Sequence, residues 1–182
     1  MRIATPLIFL TIAVTASSFA QSGRLDQVRN ADQATASRRG PKVDSDHSLM
    51  SAASQHMTKA QRLMKSALPI YDGHRHRAIE INRIALKVLR AAYNYNPGSM
   101  KPLNIEHELA KIGSTDESAA RRYSVAEIAA SNEKLKKAAE LLFSAKSSLG
   151  KVSASYGGHV LETAQLIDLS LRELDLALKS VR

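Results

Sequence analysis

Two tetrapeptides carry the residues best suited to chemistry. Tyr71-Asp72-Gly73-His74 and Tyr156-Gly157-Gly158-His159 each set a phenol, a glycine and an imidazole within four positions. If His74 and His159 converged, with the two phenols beside them, they could ligate a metal ion or a haem iron. The same residues also suit a turn. Gly73 and Gly158 supply a backbone geometry that other residues resist. Tyr71 and Tyr156 can pack over a chain reversal with the hydroxyl on a partner, and each histidine can satisfy backbone groups left free at a helix end. The residue types favour the turn. Two imidazoles make a poor metal site without carboxylates, and Asp72, the acid in the first motif, is replaced by Gly157 in the second. No cofactor is therefore expected, with a metal ion or haem as the alternative.

The remaining candidates are weaker. His76 lies two residues from His74, which turns it to another side of a helix. Glu106-His107-Glu108 could hold a cation, but adjacent residues on a short helix diverge, and a solvated charged segment is the plainer reading. No glutamate has a histidine three residues on, as a di-iron bundle requires. H-E-x-x-H, G-x-S-x-G, the Walker loop and G-x-G-x-x-G are all missing. A non-catalytic protein is expected.

Charge gives a second candidate surface. The chain holds 26 Lys and Arg against 17 Asp and Glu, a net charge of +9. From His47 to Tyr95 eight basic residues face two acids, a net +6, whereas Arg121 to Arg182 carries ten against seven, a net +3. Arg83, Lys87 and Arg90 lie three or four apart and share one helix face, with Arg75 and Arg77 a few residues before them. Such a face suits an anionic envelope polymer, a lipid surface or another protein, although solvation alone would also explain it. Nucleic acid is disfavoured, because aromatics are few and do not interleave with the cations.

Helices must position these groups. Met50, Ala53, Met57, Ala60, Met64 and Ala67 keep alternate three- and four-residue spacing, so one stripe alternates large with small. That helix begins near Asp44 to Asp46, where Asp and Ser can cap it, and Pro69 ends it. A second runs from about His74 to Tyr95 and stops at Asn96-Pro97-Gly98. Asn104 can cap a short helix over Ile105 to Ile112. Ser114-Thr115-Asp116-Glu117 has capping-box spacing, so a third long helix is expected from there to about Val152, with its buried part starting near Val125. Its seam is Ile128, Ser131, Leu135, Ala138, Leu142, Ala145, Leu149 and Val152. The last helix follows Gly158, with a stripe of Val160, Ala164, Ile167, Leu171, Leu174, Leu178 and Val181, widened by Leu161, Leu166, Leu169 and Leu176.

A shift of 85 positions superposes the two halves without a gap: Tyr71 on Tyr156, Gly73 on Gly158, His74 on His159, and Met50, Met57 and Met64 on Leu135, Leu142 and Leu149. Motif, register and large/small phase agree together, which favours a duplicated αα-hairpin over chance periodicity. The expected fold is all-α: a four-helix bundle of two tandem αα-hairpins. Hairpin one spans 46–95, a connector 96–114, and hairpin two 115–182. The spacing leaves open whether the two tips share one end of the bundle.

The chain starts as an export signal does. Arg2 precedes the ten-residue apolar run Leu7 to Ala16, shorter than a bilayer span, and Ser18-Phe19-Ala20 offers a cleavage site after Ala20. Residues 1–20 thus read as a signal peptide and 21–45 as a flexible polar arm ahead of the bundle at 46–182. The expected location is periplasmic or secreted. No cysteine is present, which excludes disulfides, thiol catalysis and covalent c-type haem attachment.

Overall fold

A computed structural model describes residues 43–96, 104–113, 123–153 and 156–181. The expected signal peptide and most of the arm lie outside the described residues. Every regular element described is helical: α1 (Val43–Ser66), α2 (His74–Tyr93), α3 (Ile105–Ala110), α4 (Val125–Leu149) and α5 (His159–Ser180). None of these helices is long and apolar enough to cross a membrane.

Each long helix lies against two other long helices. The closest pairs are α2 with α5 and α1 with α4, while α1 also meets α2, α4 meets α5, and α3 rests on α2. The α1–α4 seam follows from side-chain size. Met50, Met57 and Met64 alternate with Ala53, Ala60 and Ala67, and all six are buried. Leu135, Leu142 and Leu149 alternate in the same way with Ala138 and Ala145. Small residues let the two backbones approach, and the long ones fill the space between.

The helix ends account for two departures from expectation. α4 does not start at Ser114. Ser124 is its N-cap, in an extended conformation, and a full capping box joins Ser124 to Glu127. The S-x-x-E pattern occurs twice ahead of this helix's buried part, at Ser114 and at Ser124, and the helix uses the second; 114–122 lie outside the described residues. Burial on α4 therefore starts later than Val125, which is 84% exposed, with Ser131 as the first buried position. Gly150 is the C-cap and not an interior residue. On α1 the helix begins at Val43, inside the stretch expected to be the arm.

On α5 the buried stripe is rotated from the one expected. Val160, Ile167 and Leu174 are buried, but so are Thr163, Ser170 and Ala177, while Leu161 and Leu176 are exposed. The buried hydroxyls bond main-chain carbonyls: Thr163 to His159 of the preceding turn, and Ser170 to Ala78 of α2. A satisfied hydroxyl is tolerated inside, so these positions can face α2 although their residue types are polar.

Candidate functional site

The first tip joins α1 to α2. Gly73, the N-cap of α2, has a φ of 79°, and Asp72 before it is also left-handed at 49°. Tyr71 is fully buried. Its hydroxyl shares one proton between Ser131 Oγ at 2.7 Å and Asn132 Oδ1 at 2.9 Å, both on α4. The Leu68 amide also donates to Ser131 Oγ, at 2.8 Å.

The second tip joins α4 to α5 and repeats these ties. Gly158, the N-cap of α5, has a φ of 88°. The Tyr156 hydroxyl donates to Asp46 Oδ2 on α1 at 3.3 Å, and the Ser153 amide donates to Asp46 Oδ1 at 3.0 Å. The tied positions correspond at the 85-residue shift: Leu68 with Ser153, Tyr71 with Tyr156, and Ser131 with Asp46. The chemistry differs, because a hydroxyl accepts at one tip and a buried carboxylate at the other. Burial first, and then the charge of Asp46, push the Tyr156 phenol up to about 12.

These contacts place the tips at opposite ends of the helices. The first lies beside the early turns of α4. The second lies beside the first turn of α1 and the end of α2, where the Tyr95 ring sits 6.5 Å from that of His159. α2 has 20 residues, so about 30 Å separates its ends at about 1.5 Å per residue. His74 and His159 are not brought together, and the shared metal or haem site has no geometry here. Each histidine meets a carboxylate and not the backbone groups expected. His74 Nδ1 lies 2.8 Å from Glu173 Oε2 of α5, and His159 Nδ1 lies 2.8 Å from Glu162 Oε2 of its own helix. No cluster of three or more metal-ligating side chains occurs among the described residues.

The basic face is largely engaged from within. Arg75 donates to the Met64 carbonyl, and Arg77 lies 3.4 Å from Glu173. Arg83 pairs with Glu80 at 2.7 Å, and Lys87 with Glu108 of α3 at 2.9 Å. The hydrogen bond from Lys87, reinforced by one from Lys111, holds the Glu108 carboxyl down at about 2. Arg90 is exposed and forms no ion pair among the described residues.

Arg90 instead borders an open groove of about 500 Å³ between α1 and α2. Leu86, Leu89 and the Tyr93 ring contribute its apolar lining from α2. Ser51, Ser54, Gln55 and Thr58 line it from α1, with Asn94 at the end of α2. Tyr93 and Thr58 use their hydroxyl protons on the carbonyls of His47 and Ser54. The side chains of Ser51, Ser54, Gln55 and Asn94 make no hydrogen bond to another protein group among the described residues. This groove is not legible in the sequence of α1 alone, because a run of Ser, Gln and Thr on an amphipathic helix looks like any solvated side. The signal that could have found it is the 85-residue comparison. The matching positions in the second half are Ala139 for Ser54, Glu140 for Gln55, Phe143 for Thr58, Asp175 for Arg90 and Lys179 for Asn94, and Asp175 and Lys179 pair with each other. No protein-family model, curated protein or solved structure matches this chain.

Proposed function

We propose that the chain is an exported, non-catalytic binding protein of the bacterial envelope, cleaved after Ala20, which meets anionic partners along the outer edge of α2. Its architecture is a four-helix bundle of two tandem hairpins descended from one by duplication. The correspondence of the tip bonds at the 85-residue shift supports the duplication, since periodicity alone does not match hydrogen bonds pair by pair. One observation carries the binding role: Arg90 stands exposed and without an ion pair among the described residues, on the hairpin with net charge +6, beside an open groove. Arg83 and Lys87 add to this edge. Their side chains are 43% and 45% exposed, and exposed ion pairs hold weakly, so an incoming polyanion can take them over.

The test is elution of the whole protein from immobilised polyglutamate in a salt gradient. Arg83→Ala/Lys87→Ala/Arg90→Ala should elute at clearly lower salt than Lys134→Ala/Lys136→Ala/Lys137→Ala, which removes the same charge from α4. Equal shifts in the two variants would mean that net charge alone drives retention, and would end this reading.

A further inference from the structure

We infer that the groove between α1 and α2 binds an acidic sugar, a pyranose carrying one carboxylate. The inference rests on the anionic-partner reading above and gives that partner a size and a chemistry. At about 500 Å³ the groove falls within the range of small-ligand sites, roughly 300–1,000 Å³. Leu86 and the ring of Tyr93, both only partly buried, offer an apolar surface on which the C–H face of a pyranose can lie, with the buried Leu89 beneath them. Ser51, Ser54, Gln55 and Asn94 offer hydroxyl and amide groups that no other protein group among the described residues engages. That mixture suits a ligand with one apolar face and a rim of hydroxyls.

Arg90 sets the charge. Among the described residues it is the sole cation lining the groove, and no acid lines it. A guanidinium fork matches a carboxylate with two parallel hydrogen bonds. A dianionic phosphate fits less well, because it would have one cation to balance it and would sit at the negative, C-terminal end of α2. The other half of the molecule shows what the same helix pair looks like without this chemistry. There Phe143 replaces Thr58, Ala139 replaces Ser54, and an acid, Asp175, replaces Arg90.

Calorimetric titration of the whole protein with D-glucuronate, alongside an amide chemical-shift map, tests the inference. Saturable binding is expected, with shifts centred on residues 51–58 and 86–94. D-Glucose should bind about tenfold or more weaker, and Arg90→Ala should weaken glucuronate by a similar factor, the loss typical of a charge-assisted hydrogen bond. Ser54→Ala/Thr58→Phe imports the second half's residues without changing charge. It should abolish glucuronate binding while polyglutamate retention stays at the wild-type level. No saturable binding, tighter binding of glucose 6-phosphate, shifts centred elsewhere, or wild-type affinity in Ser54→Ala/Thr58→Phe would each overturn the groove assignment. Polyglutamate retention lost in the α2 triple variant would then still stand for the broader reading, so the two can fail separately.

Discussion

The two tips share Tyr, Gly and His at matching positions, yet they are finished with different materials. At the first, a fully buried phenol meets neutral acceptors, Ser131 and Asn132, and His74 reaches across to Glu173 on another helix. At the second, the phenol is only partly buried and meets the buried carboxylate of Asp46, while His159 stays with Glu162 one turn along. Among the described residues, the second tip also has an aromatic cover that the first lacks. The Tyr95 ring lies edge-on to Tyr156 at 6.4 Å, and a Cβ at Gly157 would run into it. That contact explains why Asp72 has a glycine as its counterpart. The backbones differ too, since Tyr156 is left-handed at a φ of 49° and Tyr71 is not, so one Tyr-x-Gly-His pattern tolerates two interiors, one sealed by burying an aromatic ring and one by polar bonds under an aromatic cap.

The largest predicted effect follows from that difference. Tyr71→Ala empties a fully enclosed site and should cost about 3–5 kcal/mol, as for large aromatic truncations in cores. Tyr156→Ala should cost about 1–2 kcal/mol, since less burial is lost. Urea unfolding followed by circular dichroism gives both values, and equal losses would show that the tips are energetically alike. A middle-sized effect separates the acceptors. Asp46→Ala strips a buried carboxylate from the Ser153 amide, the Ser153 hydroxyl and the Tyr156 phenol, so a loss of about 2 kcal/mol is expected. Ser131→Ala removes a single hydroxyl from the Leu68 amide and a phenol that still has Asn132, for about 1 kcal/mol. A larger loss at Ser131 would reverse the assignment of the polar tip.

The smallest effect is a pH dependence confined to the second tip. Tyr156 keeps its proton more tightly when folded, with its ionisation raised from 10.0 to about 12. The unfolded chain therefore releases that proton first as pH rises, and stability declines between about pH 10 and 12. Below that window both states are protonated and the phenol contributes no slope. Tyr156→Phe should flatten this part of the stability curve relative to wild type. An unchanged slope in that variant would mean that neither burial nor Asp46 holds the proton on this phenol.

Much of the helical framework was legible from residue spacing. The Met/Ala seam of α1, the Leu/Ala seam of α4, the Asn104 cap and the left-handed glycines at both tips follow from periodicity and residue type. The start of α4 did not, because two S-x-x-E patterns compete and only packing decides which of them caps the helix. The stripe on α5 was misplaced because counting apolar residues cannot see that Thr163 and Ser170 are satisfied by carbonyls. The candidate site was harder to see. Charge spacing on α2 gave no hint that Glu173 would arrive from α5 and Glu108 from α3. Asp46 looked like a helix cap, and its bond to a tip 107 residues away became apparent only in the folded chain.

The crossed ties at the tips bear on how the molecule comes apart. Leu68 and Tyr71 are held by residues of the second half, and Ser153 and Tyr156 by a residue of the first. Neither half can finish its own turn. During synthesis the first tip must wait for α4 to emerge before its bonds can close, and the start of α1 must wait for residues beyond 150. Amide protons at Leu68 and Ser153 should therefore exchange with solvent only when the two halves separate, which makes them reporters of docking between halves and not of local fraying.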